Sequence, residues 1–95
     1  MAKDSTMITK DIEICNKLGL HARAATKFAN LSGRYSCKLQ VHCSGKTIDG
    51  KSIMSLMLLA ASKGTSIRLI AEGDDAHEAL EALETLILDK FGEGE

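Results

Sequence analysis

The chain has 95 residues, 44% of them hydrophobic and 26% charged, which suits one domain built around one core. Twelve Lys and Arg face thirteen Asp and Glu, a net charge of −1, so no global basic field recommends nucleic acid or an anionic membrane as a partner. Cys15, Cys37 and Cys43 form neither an even disulfide framework nor a zinc-like spacing and read as reduced thiols. No apolar run approaches the ~18 residues of a membrane span, and no leader-like segment opens the chain, which points to the cytoplasm.

Residues 1–6 are polar and patternless and are expected to be a disordered extension. From Met7 to Ile14 the side chains of Ile8, Ile12 and Ile14 fall on one face at period two, interrupted by Lys10, and predict a strand. Asn16-Lys17-Leu18-Gly19 reads as a turn or loop. The period then becomes helical over His21 to Gly33, with Ala25, Phe28, Ala29 and Ser32 on one stripe and Gly33 at the terminating position. Cys37, Leu39, Val41 and Cys43 alternate with polar residues and predict a half-buried strand, and Ser44-Gly45 turns it into a short partner over Lys46–Asp49. If 37–43 is extended, Cys37 and Cys43 share a face but lie roughly 20 Å apart, too far to bridge.

Ile53 to Ser62 is apolar around most of its circumference and predicts a short helix ended by Gly64. Ile67, Leu69 and Ala71 give the last strand. Asp74 or Asp75 is placed to cap a final helix whose apolar stripe is Ala76, Ala79, Leu80, Leu83, Leu86 and Ile87. Residues 92–95 are expected to fray, leaving a domain over 7–92 and a flexible tail at 93–95. The order β-α-β-β-α-β-α, with strands apolar on one side only, predicts an α+β fold: an antiparallel sheet covered on one face by helices.

Chemistry concentrates at the first helix. His21 stands where a loop becomes a helix, behind Gly19 and ahead of Arg23. The first amides of a helix point outward unpaired and favour anions such as phosphate. Arg23 can set a guanidinium on phosphoryl oxygens, and Gly19 permits a close backbone approach. A nucleophile, an anion cradle and a charge clamp therefore lie within five residues. His42 and His77 fall on solvent-facing positions without metal-ligand company.

The run Asn16-Lys17-Leu18-Gly19-Leu20-His21-Ala22-Arg23-Ala24-Ala25 closely resembles the active-site signature of the HPr-type phosphocarriers, including their nitrogen-pathway paralogues. A second run, Gly50-Lys51-Ser52-Ile53-Met54-Ser55-Leu56-Met57, resembles the family's other signature at the family's separation, and the likeness extends over nearly the whole chain from Met7. The resemblance implies an open-faced β-sandwich, a four-stranded antiparallel sheet with three helices on one face. It also implies a carrier, not a free-standing enzyme: a phosphoryl group arrives from phosphorylated enzyme I, rests on His21, and passes to a IIA-type acceptor, with no metal or cofactor. Arg23 then matches the phosphate clamp, and Thr26, Lys27, Ile53, Met54 and Met57 the partner-docking surface. Ser52, on its own terms an N-cap, matches the regulatory serine of members served by HPr kinase/phosphorylase. A shuttle of this kind is expected to be a monomer. Many members carry proline where this chain has Ala24; alanine also suits a helix, so the departure bears on transfer rate more than on fold.

Three other readings compete. Gly45 to Ser52 formally satisfies the Walker A pattern, but a P-loop follows a buried parallel strand, and Cys37–Cys43 alternates like a one-faced strand. A purely regulatory module signalling through Ser52 would not need the intact pair His21 and Arg23. An RNA-binding sheet would need exposed aromatics, and Phe28, Tyr35 and Phe91 form no platform.

Overall fold

The computed structural model describes residues 7–93; the extension expected at 1–6 lies outside them. The elements run β1 (Met7–Glu13), α1 (Ala22–Ser32), β2 (Lys38–Cys43), β3 (Lys46–Asp49), α2 (Ile53–Leu58), β4 (Ser66–Glu72) and α3 (Ala76–Leu88), followed by a 3-10 turn over Lys90–Gly92. The four strands form one sheet in the order β1-β4-β2-β3, with every neighbouring pair antiparallel. Cross-strand pairing places Ile12 opposite Ile67, Val41 opposite Leu69, and Leu39 opposite Ala71, all buried on one face. The period-two alternation of the sequence thus becomes a continuous apolar layer.

The helices cover that layer. Ala24, Ala25, Phe28, Ala29 and Ser32 of α1 are buried, and so are Ala76, Ala79, Leu80, Leu83 and Ile87 of α3. With few aromatics available, Phe28 and Phe91 are the two largest fully buried side chains, and aliphatic groups fill the rest. Burying each Phe, Leu, Ile or Val side chain is worth about 1.5–3 kcal/mol. Lys10, the interruption in the apolar face of β1, reaches over α3 to Glu84 at 3.0 Å. The other face of the sheet is polar; Arg68 there donates to Asp11 at 2.8 Å, and His42 Nδ1 lies 2.7 Å from the Thr47 hydroxyl. His77 is exposed, and all three cysteines are free thiols.

Two expectations need correction. The helix predicted over 53–62 stops at Leu58, because Ala60 turns to φ 52° and the chain bends to pack against the loop before α1. Asp75 stands at the N-cap of α3 but makes no capping bond. Its carboxylate instead accepts the backbone N–H groups of Ser36 at 2.8 Å and Cys37 at 2.9 Å, tying the entry of β2 to the entry of α3. Gly73 makes that junction possible: at φ +147° an added Cβ would lie 2.9 Å from Cys37 Cα. Among the described residues no helix is long and apolar enough to cross a membrane.

Candidate functional site

The site is assembled by the loop between β1 and α1. Ile14 donates to Thr65 O at 2.8 Å and accepts from Gly64 N at 2.7 Å, which fixes the loop's start. Asn16 is fully buried, and its Nδ2 donates to Gly19 O at 2.9 Å while Gly19 N donates back to Asn16 O at 3.2 Å. This turn needs φ +68° at Gly19, where an added Cβ would lie 2.4 Å from Ala61 O. Leu20 N then donates to that same Ala61 carbonyl at 2.8 Å, locking the loop to the segment after α2.

The next residue is His21, in extended conformation (φ −78°, ψ −178°) as the N-cap of α1. Its backbone carbonyl accepts the first helical bond, from Ala25 N at 2.8 Å, and its ring takes the place of the usual Ser or Asp cap: Nδ1 accepts from Arg23 N at 3.3 Å. The ring is half-buried. Its other nitrogen, Nε2, is bonded to Glu93 Oε2, and Glu93 Oε1 accepts from Asn16 Nδ2 at 3.0 Å. Lys17, Leu18, His21, Ala22, Arg23 and Glu93 line an open groove of about 710 Å³.

Glu93 was expected in a loose tail. It is held because Phe91 is buried, Lys27 Nζ donates to Phe91 O at 2.6 Å, and the chain after Gly92 is thereby returned to the loop. Burial works against ionisation of the Glu93 carboxyl. The hydrogen bonds from the Asn16 amide and from His21, with the Lys27 ammonium nearby, outweigh it, and the group titrates below its ordinary value. Arg23 is exposed at the rim, and its guanidinium has no partner among the described residues. It puts a cation at the positive end of α1, whose first turn has no acidic residue, an arrangement that favours an incoming anion.

The remaining expected residues fall into two groups. Ser52 is the N-cap of α2, its Oγ accepting from Ser55 N at 3.3 Å, and only Leu56 of that helix is buried. Ile53, Met54, Met57 and Leu58 are exposed, Met54 by 74% and Leu58 by 73%, and Leu18 in the loop before α1 is exposed as well. Thr26 and Lys27 are half-buried and already engaged: Thr26 Oγ1 donates to Ala22 O within α1 at 2.8 Å, and Lys27 donates to Phe91 O of the C-terminal turn. Residues 45–52 make no phosphate loop. They contain β3, and the Lys51 ammonium donates to Tyr35 O at 2.7 Å. Cys37 is no nucleophile, since burial and the neighbouring Asp75 carboxylate push its thiol up. No group of three or more His, Cys, Asp or Glu among the described residues could hold a metal ion.

Comparison with known proteins fits this geometry. The family described as the PTS HPr component phosphorylation site matches residues 8–89. The chain belongs to the HPr family. The phosphocarrier protein HPr of Pseudomonas aeruginosa is 54% identical over 86 residues, covering 90% of this chain and 96% of that one. HPr of Cupriavidus necator is 45% identical over 89 residues, covering 94% of this chain and all of the other. The crystal structure of HPr-C-His from Thermoanaerobacter tengcongensis superposes with a TM-score of 0.87 at 45% identity, covering 90% of this chain and 97% of that one. The α+β open-faced sandwich is therefore the HPr fold, and the chain is an HPr-type phosphocarrier of the phosphotransferase system.

Proposed function

We propose that this protein accepts a phosphoryl group from the phosphohistidine of enzyme I on Nδ1 of His21 and delivers it to a IIA-type acceptor, acting as a monomer. The observation that carries the reading is the orientation of the ring: Nδ1 faces the Arg23 amide at the start of α1, and Nε2 faces a carboxylate. An imidazole whose Nε2 proton is donated to Glu93 has its lone pair on Nδ1, at the helix entrance. In transfer, that lone pair forms the new N–P bond as the N–P bond at the donor histidine breaks, so no proton need leave Nδ1. The long 3.3 Å contact from Arg23 N is then free to pass to a phosphoryl oxygen, together with the other unpaired amides of the first turn. Arg23 adds a guanidinium to oxygens whose charge is spread in a loose transition state.

The exposed patch of Ile53, Met54, Met57 and Leu58 supplies the docking face, and methionine's flexible thioether suits a surface that must fit both a donor and an acceptor. Ser52, at the edge of that patch, is the regulatory site in this reading. Incubation with enzyme I and phosphoenolpyruvate, followed by intact mass, tests the proposal. One acid-labile phosphoryl group on the wild type and none on His21→Ala is the expected result. Failure of the wild type to gain mass, with an enzyme I active on another carrier, would leave the Ser52 regulatory module as the function.

A further inference from the structure

We infer that Glu93, oriented by Asn16, is a positioning residue for phosphoryl transfer: its carboxylate holds the His21 ring by Nε2 so that Nδ1 is presented to the helix entrance. The inference deepens the carrier reading and rests on it.

Two contacts on opposite edges of the ring require the same protonation pattern. Nδ1 lies 3.3 Å from the backbone N–H of Arg23, a group that can only donate, so Nδ1 must accept. Nε2 lies against Oε2 of a carboxylate whose titration is held below its ordinary range, a group that can only accept, so Nε2 must donate. The ring is therefore fixed both in tautomer and in rotation about its own axis. A half-buried imidazole held from one side only could swing its nucleophilic nitrogen away from the cradle.

The carboxylate is itself fixed. Its second oxygen accepts from Nδ2 of Asn16, which is fully buried and spends its other amide proton on Gly19 O. The Asn16 Oδ1 atom is buried with no partner among the described residues, an arrangement that costs stability. Packing alone would favour an apolar side chain there; an amide is justified by its two donations, one to the turn and one to Glu93. The backbone approach is anchored separately, by burial of Phe91 and by Lys27 on its carbonyl. A base held by a carboxylate that is held in turn by a third group is the general arrangement by which proteins orient a reactive imidazole.

Two readouts test the role. The first is the His21 Nε2–H resonance in proton NMR. In the wild type it should lie far downfield and exchange slowly, in Glu93→Ala it should be lost to solvent exchange, and Glu93→Gln, which can still accept from Nε2–H, should retain it in part. The second is the initial rate of phosphoryl acceptance from enzyme I, expected to fall about tenfold or more in Glu93→Ala and less in Glu93→Gln. Loss of the proton with an unchanged or faster rate would overturn the inference, since Glu93 would then merely screen the groove against anions. Absence of a protected Nε2–H in the wild type would overturn it as well. A wild type that shows the proton but takes no phosphoryl group would refute the carrier reading, and the positioning role with it.

Discussion

Gly19 is where the fold and the site depend on one atom's absence. Its φ of +68° is left-handed, and a Cβ built there would meet Ala61 O at 2.4 Å and Ser62 Cα at 2.8 Å, both backbone atoms that cannot swing aside. Gly19→Ala therefore incurs the left-handed cost of about 1–2 kcal/mol. It adds an overpacking cost of about 1–3 kcal/mol, and it puts at risk the 2.8 Å bond from Leu20 N to Ala61 O, worth about 1 kcal/mol. Together these amount to about 3–6 kcal/mol, a large share of the 5–15 kcal/mol that stabilises a typical domain. Gly45 provides the control: it has φ +82° but nothing within 4 Å of an added Cβ, so Gly45→Ala should cost the backbone term alone, about 1–2 kcal/mol. Urea unfolding of the two variants measures the difference, and hydrogen exchange at the Leu20 amide locates it. If Gly19→Ala is no less stable than Gly45→Ala, the close approach of the loop to Ala61 is not a constraint on the fold, and the account of how His21 is placed fails.

Other consequences are simpler to check. If Arg23 clamps the incoming phosphoryl group as proposed, Arg23→Ala should slow phosphoryl acceptance about a hundredfold, while its urea midpoint stays within about 0.5 kcal/mol of wild type, because the side chain is exposed. Asp75 titrates below its ordinary value, chiefly through the Ser36 amide, with burial opposing and the Cys37 amide assisting. With the folded value below the unfolded one, its contribution is present above the ordinary aspartate range of about 3.9 and is lost as pH falls through the folded value. Asp75→Asn should thus lower stability at neutral pH and flatten the acid limb of stability against pH, measured by urea midpoints. Phe91→Ala should cost about 3–5 kcal/mol by thermal or urea unfolding, since the ring is fully buried.

Much of this architecture is legible in the sequence because alternation survives folding. Leu39, Val41 and Cys43 are buried and their neighbours are not, and β3 occupies Lys46–Asp49 as its turn residues predict. The stripe of α1 is buried as its spacing requires, and His21 caps it. The end of α2 was hidden because an apolar segment without a polar face offers no stop signal; the stop comes from Gly19 and Leu20, some forty residues earlier, pressing on Ala61. Asp75 has a capping residue's chemistry, and only the approach of Ser36 and Cys37 redirects it. Glu93, between two glycines, reads as solvated tail, yet it meets a residue 72 positions away. The missed signal was Phe91: one of only three aromatic residues in the chain, it is fully buried, and it draws the residues next to it back to the core.

The same connections decide how modification of Ser52 would act. Ser52 and Ala61 flank α2 at opposite ends, and the six-residue helix spans about 9 Å. A phosphate at the N-cap would sit over the unpaired amides of the first turn, where an anion tightens a helix rather than melting it. The Ala61–Leu20 bond, the Gly19 turn and the His21 ring would then stay as they are. The effect must fall on the surface, where a dianion beside exposed Ile53 and Met54 would have to be desolvated by an apolar partner. Ser52→Asp carries part of that charge, and two donors separate the alternatives. Phosphorylation by enzyme I should slow about tenfold or more, whereas phosphorylation by phosphoramidate, too small to use the docking face, should proceed at the wild-type rate. Equal slowing with both donors would mean that the charge reaches His21 through the fold, by way of a link between α2 and the loop that yields to it.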